Sequence, residues 1–141
     1  MHRVLVTGGL GFIGSHTCLT LLENNFEVIV IDSLLNSSEQ TFKNITSYIN
    51  NSKRKFGKIS FYKGDIRNYD FVNNIFLEAN KEKKPIDSVI HLAGLKSVAE
   101  SIKAPLNYWE VNVLGLINII RIMEKFKCFR LVFSSSASIY G

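Results

Sequence analysis

Short apolar runs alternate with stretches of helical periodicity along the whole chain. The apolar runs are nearly continuous, as expected for strands covered on both faces. They predict five strands, at residues 3–7, 27–31, 59–62, 88–92 and 130–134. Apolar residues at helical spacing predict four helices between them, at 12–23, about 39–50, about 69–80 and about 105–125.

Local signals mark where three of these helices begin. The segment 36–38 (Asn-Ser-Ser) is a capping signal, with Glu-Gln at 39–40 directly behind it. Asn68 or Asp70 caps the next helix, and Pro105 suits the first turn of the last one. The elements therefore alternate strictly between strand and helix.

Strands joined by helical segments predict a parallel sheet with helices on both faces. Right-handed crossovers then favour the strand order 3-2-1-4-5. The expected fold class is α/β, a Rossmann-type doubly wound parallel sheet that is truncated after the fifth strand. At 141 residues the chain is one domain's worth of protein, and we expect a single incomplete domain over 1–141.

The strongest local signal is the turn between the first strand and the first helix. Glycines recur there as G-x-x-G-x-x-G, at Gly8, Gly11 and Gly14. Gly8 permits a sharp turn, Gly11 lets backbone amides approach a pyrophosphate, and Gly14 lets helix and strand pack closely. The following helix then presents free N–H groups and its positive dipole end to the diphosphate.

An acidic residue strengthens this interpretation of the turn. Asp32 ends the second strand, 18 residues after Gly14. Its carboxylate can accept hydrogen bonds from the adenosine ribose and would repel a 2′-phosphate, which favours NAD over NADP. A P-loop is excluded because no Gly-Lys-Ser/Thr follows. The alternative is a tight turn with an unrelated surface aspartate, but the position between strand and helix favours an NAD-binding domain.

Composition excludes several other classes of partner. The net charge is +5, but the basic residues form short groups at 53–55, 81–84 and 125–130, beside element ends or in linkers, so we expect no nucleic acid. Two cysteines without metal-site spacing indicate buried thiols in a reducing cytoplasm and no metal site. Only a short apolar run precedes the first glycines, and no run reaches about 20 apolar residues, so we expect no signal peptide, no membrane partner and a cytoplasmic protein.

Five stretches together resemble the extended short-chain dehydrogenase/reductase family, over essentially the whole chain. They are TGGLGFIGSHT at 7–17, DSLLNSS at 32–38, GDIRN at 64–68, HLAGLKSVAES with PLNYWEVNVLG over 91–115, and SSSASIYG at 134–141. Within the family the chain is most similar to the enzymes of galactose metabolism that interconvert UDP-glucose and UDP-galactose. The resemblance implies an isomerase that works through a 4-keto intermediate, with NAD as cofactor, a UDP-hexose as substrate and a homodimer as its assembly.

The resemblance also assigns roles to individual residues. Backbone amides of Phe12 and Ile13 would cover the pyrophosphate. The adenosine ribose and adjoining groups would be surrounded by Asp32, Ser33, Asn36 and Ser37, and the adenine bracketed by Asp65 and Ile66. The nicotinamide side would be lined by Leu92, Ala93, Gly94, Leu95, Lys96 and Asn112, with Lys96 touching a cofactor ribose. Ser136 would be the catalytic serine.

Several of these residues also have a simpler structural explanation. Asp65 follows Gly64 and can shape a turn. Lys96 can be a solvated loop lysine. His91 ends a buried strand and is better explained as a satisfied core residue than as a base. The chain also departs from the family at Val111, where some members carry an asparagine that contacts the cofactor.

The proton-transfer pair of the family, Tyr-x-x-x-Lys, does not occur in these 141 residues. We therefore expect this polypeptide, as a fragment, to be inactive by itself. A second possibility is a sugar-nucleotide 4,6-dehydratase or decarboxylase of the same family. In dehydratases an acidic pair normally follows the serine, whereas Ala137-Ser138 follows it here. A third possibility, from another class, is a non-catalytic NAD-binding module.

Overall fold

The computed structural model describes residues 2–135 of the chain. The strands are β1 (Arg3–Thr7), β2 (Glu27–Asp32), β3 (Ile59–Lys63), β4 (Ser88–His91) and β5 (Leu131–Phe133). The helices are α1 (Phe12–Glu23), α2 (Glu39–Asn51), α3 (Tyr69–Lys81), α4 (Val98–Lys103), α5 (Pro105–Trp109) and α6 (Gly115–Lys125). A π-helical turn, Glu110–Leu114, joins α5 to α6.

The strands form one parallel sheet in the order β3-β2-β1-β4-β5. At its centre Leu5 of β1 lies opposite Ile29 of β2 on one side and Val89 of β4 on the other. The reversal of direction at β1 confirms the predicted doubly wound fold and its strand order. In such sheets, ligands bind at the carboxyl ends of the strands beside this reversal.

Alternate residues of the central strands face two separate cores, because successive side chains of a strand point to opposite faces. Leu5 shares one core with Phe76 of α3 and Ile119 of α6. Val6 shares the other with Leu22 of α1. Both faces of the sheet are therefore covered, which explains the continuous apolar runs.

Four details differ from the sequence-based expectation. The helix α4 was not predicted, and the expected continuous helix over 105–125 contains the π-helical turn. The strand β5 is shorter than predicted. Phe12 and Ile13, the first two apolar residues of the helix predicted at 12–23, are 80% and 64% exposed, because α1 packs through Gly14, Cys18 and Leu22.

Apolar side chains remain exposed at one edge of the sheet. In the described part of the chain β5 pairs with β4 alone. Val132 and Phe133 on β5 are 60% and 50% exposed. Among residues 2–135, no helix is both long and apolar enough to cross a membrane.

Candidate functional site

The glycine turn lies at the carboxyl end of β1, where the sheet reverses direction. Gly8 has a φ of +69°, a conformation that favours glycine, and its amide donates to the carbonyl of Ile31 (2.8 Å). A Cβ on Gly8 would lie 2.7 Å from the backbone nitrogen of Ala93. The turn is therefore pressed against the loop that follows β4.

Gly14 and Gly11 serve different purposes. A Cβ on Gly14 would clash with the carbonyl oxygen of Gly8, so the packing of α1 on the turn requires glycine there. A Cβ on Gly11 would meet only that same oxygen, at 3.4 Å, which is an ordinary contact. Gly11 also has a φ of −70° and a ψ of 175°, which any residue adopts. The fold therefore does not require glycine at position 11. Because glycine has no side chain, the space in front of α1 stays open.

The N-terminus of α1 carries no acidic group. Its cap residue, Gly11, offers no side-chain hydrogen bond, and its first turn contains no acidic residue. By contrast, α2 is capped by Ser38 and begins with Glu39, and α3 is capped by Asn68. The amides of the first helical turn have no acceptor within the helix, so the positive end of α1 can bind an anion.

Asp32 lies beside this helix end and is 8% exposed. Its Oδ2 accepts a hydrogen bond from the Leu10 amide (3.0 Å). Its Oδ1 accepts from the Leu34 amide (2.9 Å) and from the Ser37 hydroxyl (2.6 Å). The carboxylate thus fixes the glycine turn to the segment after β2. Since a carboxylate has about four acceptor positions, one on Oδ2 stays available.

Ser33 and Asn36 follow Asp32 on the surface, and both are exposed. Leu34, between them, adopts a φ of +62°, so the chain turns sharply there. The structure thus brings the residues assigned to the ribose next to the glycine turn.

The loop after β3 carries the two residues assigned to the adenine. Both carboxylate oxygens of Asp65 pair with the Arg67 guanidinium, at 2.7 Å between Oδ2 and Nη2 and 3.1 Å between Oδ1 and Nε. The side-chain hydrogen bonds from Arg67 lower the pKa of Asp65, although partial burial acts to raise it. At the start of this loop, the Gly64 amide donates to the carbonyl of Asp32 (3.0 Å). Asp32, the residue assigned to the ribose, is therefore linked to this loop through the backbone.

The loop after β4 provides the residues assigned to the nicotinamide side. It begins where the amides of Leu92 and Ala93 donate to the carbonyl and the hydroxyl of Thr7 (3.0 and 3.3 Å). Further along, the Asn112 side chain makes two hydrogen bonds with the backbone of Leu95. Its Oδ1 accepts from the Leu95 amide (2.8 Å), and its Nδ2 donates to the Leu95 carbonyl (2.9 Å). The Asn112 side chain thus holds the backbone of this loop.

Gly94 and Lys96 flank Leu95, and both are exposed. A Cβ on Gly94 would lie 3.2 Å from Oδ1 of Asn112, so a larger residue at position 94 would disturb the hydrogen bonds between Asn112 and Leu95. Lys96 is consistent equally with a solvated lysine and with a ligand contact.

His91 is a core residue, as the sequence suggested. It is 1% exposed, and its Nδ1 lies 2.8 Å from the Thr7 hydroxyl. Burial lowers its pKa to about 4, so the imidazole is neutral at physiological pH. Its Nε2 has no hydrogen-bond partner among residues 2–135, so the ring is only half satisfied. A group this far from its ordinary pKa is no general base at neutral pH.

Both cysteines are free and buried, as expected. Burial, together with the charge of Asp32, raises the pKa of Cys18 to about 12. Burial also raises the pKa of Cys128. Neither thiol is a nucleophile at neutral pH. In the described part of the chain, no three His, Cys, Asp or Glu side chains cluster closely enough to hold a metal ion.

The segment leading to the assigned catalytic serine returns to the same edge of the sheet. The Ser134 amide donates to the carbonyl of His91 (3.2 Å). Ser136 itself lies outside the described residues.

Three residues of the site received no role from the sequence. Thr7 and Asn118 make contacts to residues 84 and 52 positions away, so no local pattern could have revealed them. Arg67 follows Asp65 by two residues within a turn, and that acid–base spacing was a usable signal.

The residues present fit a dinucleotide. The space at Gly11 and the uncapped end of α1 lie beside Asp32, whose carboxylate accepts from the Leu10 amide, and the Asp65 loop adjoins Asp32 through its backbone. The loop after β4 lies on the other side of the glycine turn. The two halves of a dinucleotide can therefore extend to either side of α1.

Comparison with known proteins gives consistent results. The family model described as GDP-mannose 4,6 dehydratase matches residues 5–141. The chain is 45% identical to a UDP-glucose 4-epimerase of Cyamopsis tetragonoloba over 141 residues, and 42% identical to that of Bacillus subtilis over 139. These matches cover 99% and 98% of this chain but 38% of each relative. The chain thus spans under two-fifths of the length of the curated relatives that it matches.

Solved structures share the fold. The UDP-glucose 4-epimerase from Bifidobacterium longum, in complex with NAD+ and UDP, has a TM-score of 0.86 at 36% identity, over 99% of this chain and 38% of that one. The UDP-Glc/GlcNAc 4-epimerase from Campylobacter jejuni has a TM-score of 0.83 at 29% identity, over 100% of this chain and 39% of that one.

Proposed function

The chain belongs to the family described as GDP-mannose 4,6 dehydratase, and within that family we propose that it is the NAD-binding part of a UDP-glucose 4-epimerase. The relatives described above, at 42–45% identity, are UDP-glucose 4-epimerases. The residues after Ser136, Ala137-Ser138, also lack the acidic pair expected of a dehydratase. The proposed whole activity is the interconversion of UDP-glucose and UDP-galactose.

One observation carries the NAD proposal more than any other: the open space at Gly11 in front of an uncapped helix. A diphosphate placed there would accept hydrogen bonds from the amides of Phe12 and Ile13 and would interact with the positive helix end. A side chain at position 11 would fill the same space. Bound NAD would supply the hydride acceptor and donor for carbon 4 of the sugar.

The remaining residues would orient this cofactor. Asp32, with its available acceptor position, would bind a ribose hydroxyl and repel a 2′-phosphate, so NAD would bind better than NADP. Asn112 would hold the loop carrying Lys96 against the nicotinamide half. Ser136 is proposed to contact the sugar or the reacting hydroxyl at the end of β5.

We also propose that the whole protein is a homodimer. The outer face of the helix running through α5, the π-helical turn and α6 exposes a stripe of apolar side chains. Its members are Leu106, Trp109, Val113, Ile117 and Ile120, exposed by 38–76%. A contiguous apolar stripe of this kind is typical of a protein interface.

The activity can be tested by domain exchange. Residues 1–141 replace the corresponding segment of the Bacillus subtilis relative, and the chimaera is supplied with UDP-galactose and NAD. We expect UDP-glucose to form, and the Asp32→Asn chimaera to form it at least about tenfold more slowly at limiting NAD. A folded chimaera that binds NAD without forming UDP-glucose would contradict the epimerase proposal. A 4-keto-6-deoxy product would favour a dehydratase instead.

A further inference from the structure

The helix formed by α5, the π-helical turn and α6 holds the loop between β3 and α3 from one side. Asn118 of α6 is 5% exposed, and its Nδ2 donates to the carbonyls of Ile66 (3.3 Å) and Arg67 (2.9 Å). One turn earlier, a Cβ on Gly115 would lie 2.6 Å from Cδ1 of Ile66. The helix therefore packs directly on this loop and holds its backbone through a buried amide.

A second contact reaches the same loop through Arg67. While its guanidinium pairs with Asp65, its Nη1 lies 3.2 Å from Oε2 of Glu110 and 3.4 Å from Oδ1 of Asn107. The orientation of the Asp65 carboxylate thus depends on the helix as well. Side chain and backbone of the loop are held independently.

The loop can offer a ligand one hydrogen-bond acceptor, the Asp65 carboxylate, beside one donor, the Ile66 amide. The Ile66 side chain is buried, so only its backbone is available. The Ile66 amide has no hydrogen-bond partner in residues 2–135. The Asp65 carboxylate before it accepts from the amide, Nε and Nη2 of Arg67, so one of its about four acceptor positions stays available. This pair complements the edge of adenine, whose 6-amino group donates and whose N1 accepts. Hypoxanthine presents the reverse on that edge.

We propose that Asn118 is a positioning residue that fixes Asp65 and Ile66 and thereby sets the preference of the site for adenine. The inference rests on the proposed NAD site, of which this loop is the adenine side. Asn118 itself touches no ligand. It acts through the two carbonyls that it binds.

The test compares two dinucleotides that differ only on this edge. Calorimetry on the 141-residue chain measures the Kd of NAD and of nicotinamide hypoxanthine dinucleotide, in which a keto oxygen replaces the 6-amino group. We expect the wild type to prefer NAD by about tenfold or more. In Asn118→Ala the preference should fall below about threefold. A merely structural role would weaken both ligands equally, and an unchanged ratio would overturn the proposal.

A second variant and a control cover the possibility that Asn118→Ala fails to fold. Asn118→Leu keeps most of the buried side-chain volume but removes the donor to both carbonyls, so it should also reduce the preference. Asn73→Ala removes a hydrogen bond from Lys125 (2.7 Å) that joins α3 and α6 away from the loop, and it should leave the preference intact. If wild-type chain binds neither dinucleotide, the NAD site and this inference both fail. If it binds both equally, or if folded Asn118→Leu keeps the full preference, only the inference fails.

Discussion

The glycines of the first turn differ in what requires them. Gly11→Ala should leave the free energy of unfolding within about 1 kcal/mol of wild type, because its Cβ meets only an ordinary contact. Its affinity for NAD should fall at least about tenfold, because the methyl group would fill the space proposed for the diphosphate. Gly14→Ala should instead destabilise the fold by about 2 kcal/mol or more, because its Cβ clashes with the Gly8 carbonyl.

Urea unfolding and NAD titration of the two variants check this prediction together. A Gly11→Ala chain that binds NAD as well as wild type would show that position 11 is not a ligand position. A fully stable Gly14→Ala chain would contradict the packing of α1.

The buried imidazole of His91 predicts a dependence of stability on pH. Its pKa is lowered from 6.5 to about 4 by burial, so the unfolded chain binds a proton that the folded chain excludes between these values. Stability should therefore fall as the pH falls from 6.5 to 4, by about 3 kcal/mol from this group.

Urea unfolding at several pH values across that window measures the effect for His91→Gln against wild type. The variant should lose most of this dependence of the unfolding free energy on pH. The matched control, His16→Gln, changes an exposed histidine of α1 and should keep it. Equal slopes for wild type and His91→Gln would contradict the assignment.

At the scale of elements, the fold could be predicted well and parts of the site could not. The strands were found because both of their faces are buried, and α2 and α3 because Ser38 and Asn68 cap them. The π-helical turn was missed, since helical periodicity continues through it. This turn is distinguished by a tertiary contact, because it carries Asn112, whose hydrogen-bond partner Leu95 is 17 residues away.

The hydrogen bonds between Asn112 and the Leu95 backbone lead to a prediction for Asn112. The variant Asn112→Ala loses both hydrogen bonds to the Leu95 backbone, so the loop after β4 should become more mobile. Amide exchange at Leu95 should accelerate, and NAD affinity should fall about fivefold. Asn44→Ala, which affects only an exposed contact with Gln40 on α2, is the control. Unchanged exchange at Leu95 would show that Asn112 does not hold the loop.

At the scale of the whole molecule, the exposed apolar stripe predicts self-association. Leu106 and Trp109 are 76% and 65% exposed. The double variant Leu106→Gln/Trp109→Gln should sediment more nearly as a monomer than wild type, with its melting temperature little changed. Leu35→Gln, at an equally exposed apolar residue away from the helix, should sediment like wild type. A wild-type chain that is monomeric at high concentration would contradict the interface.

The family resemblance drawn from short motifs is confirmed by relatives across nearly the whole chain. Individual roles are a different matter. The motifs pointed to Asn112 as a cofactor contact, which stays a prediction, and they gave no sign of its hydrogen bond with the Leu95 backbone. They left Asn118 out because its partners lie in a distant loop. Motifs near the glycine turn could be interpreted because their chemistry is local, within one strand, turn and helix.

The central claim is that the open end of α1, with Asp32 beside it, binds NAD. Calorimetric titration of the folded 141-residue chain with NAD and NADP tests it most directly. We predict saturable binding of one NAD per chain, at least about tenfold tighter than NADP, because the Asp32 carboxylate would face the ribose and repel a 2′-phosphate. Absence of NAD binding by folded protein, or equal affinity for the two dinucleotides, would contradict the account.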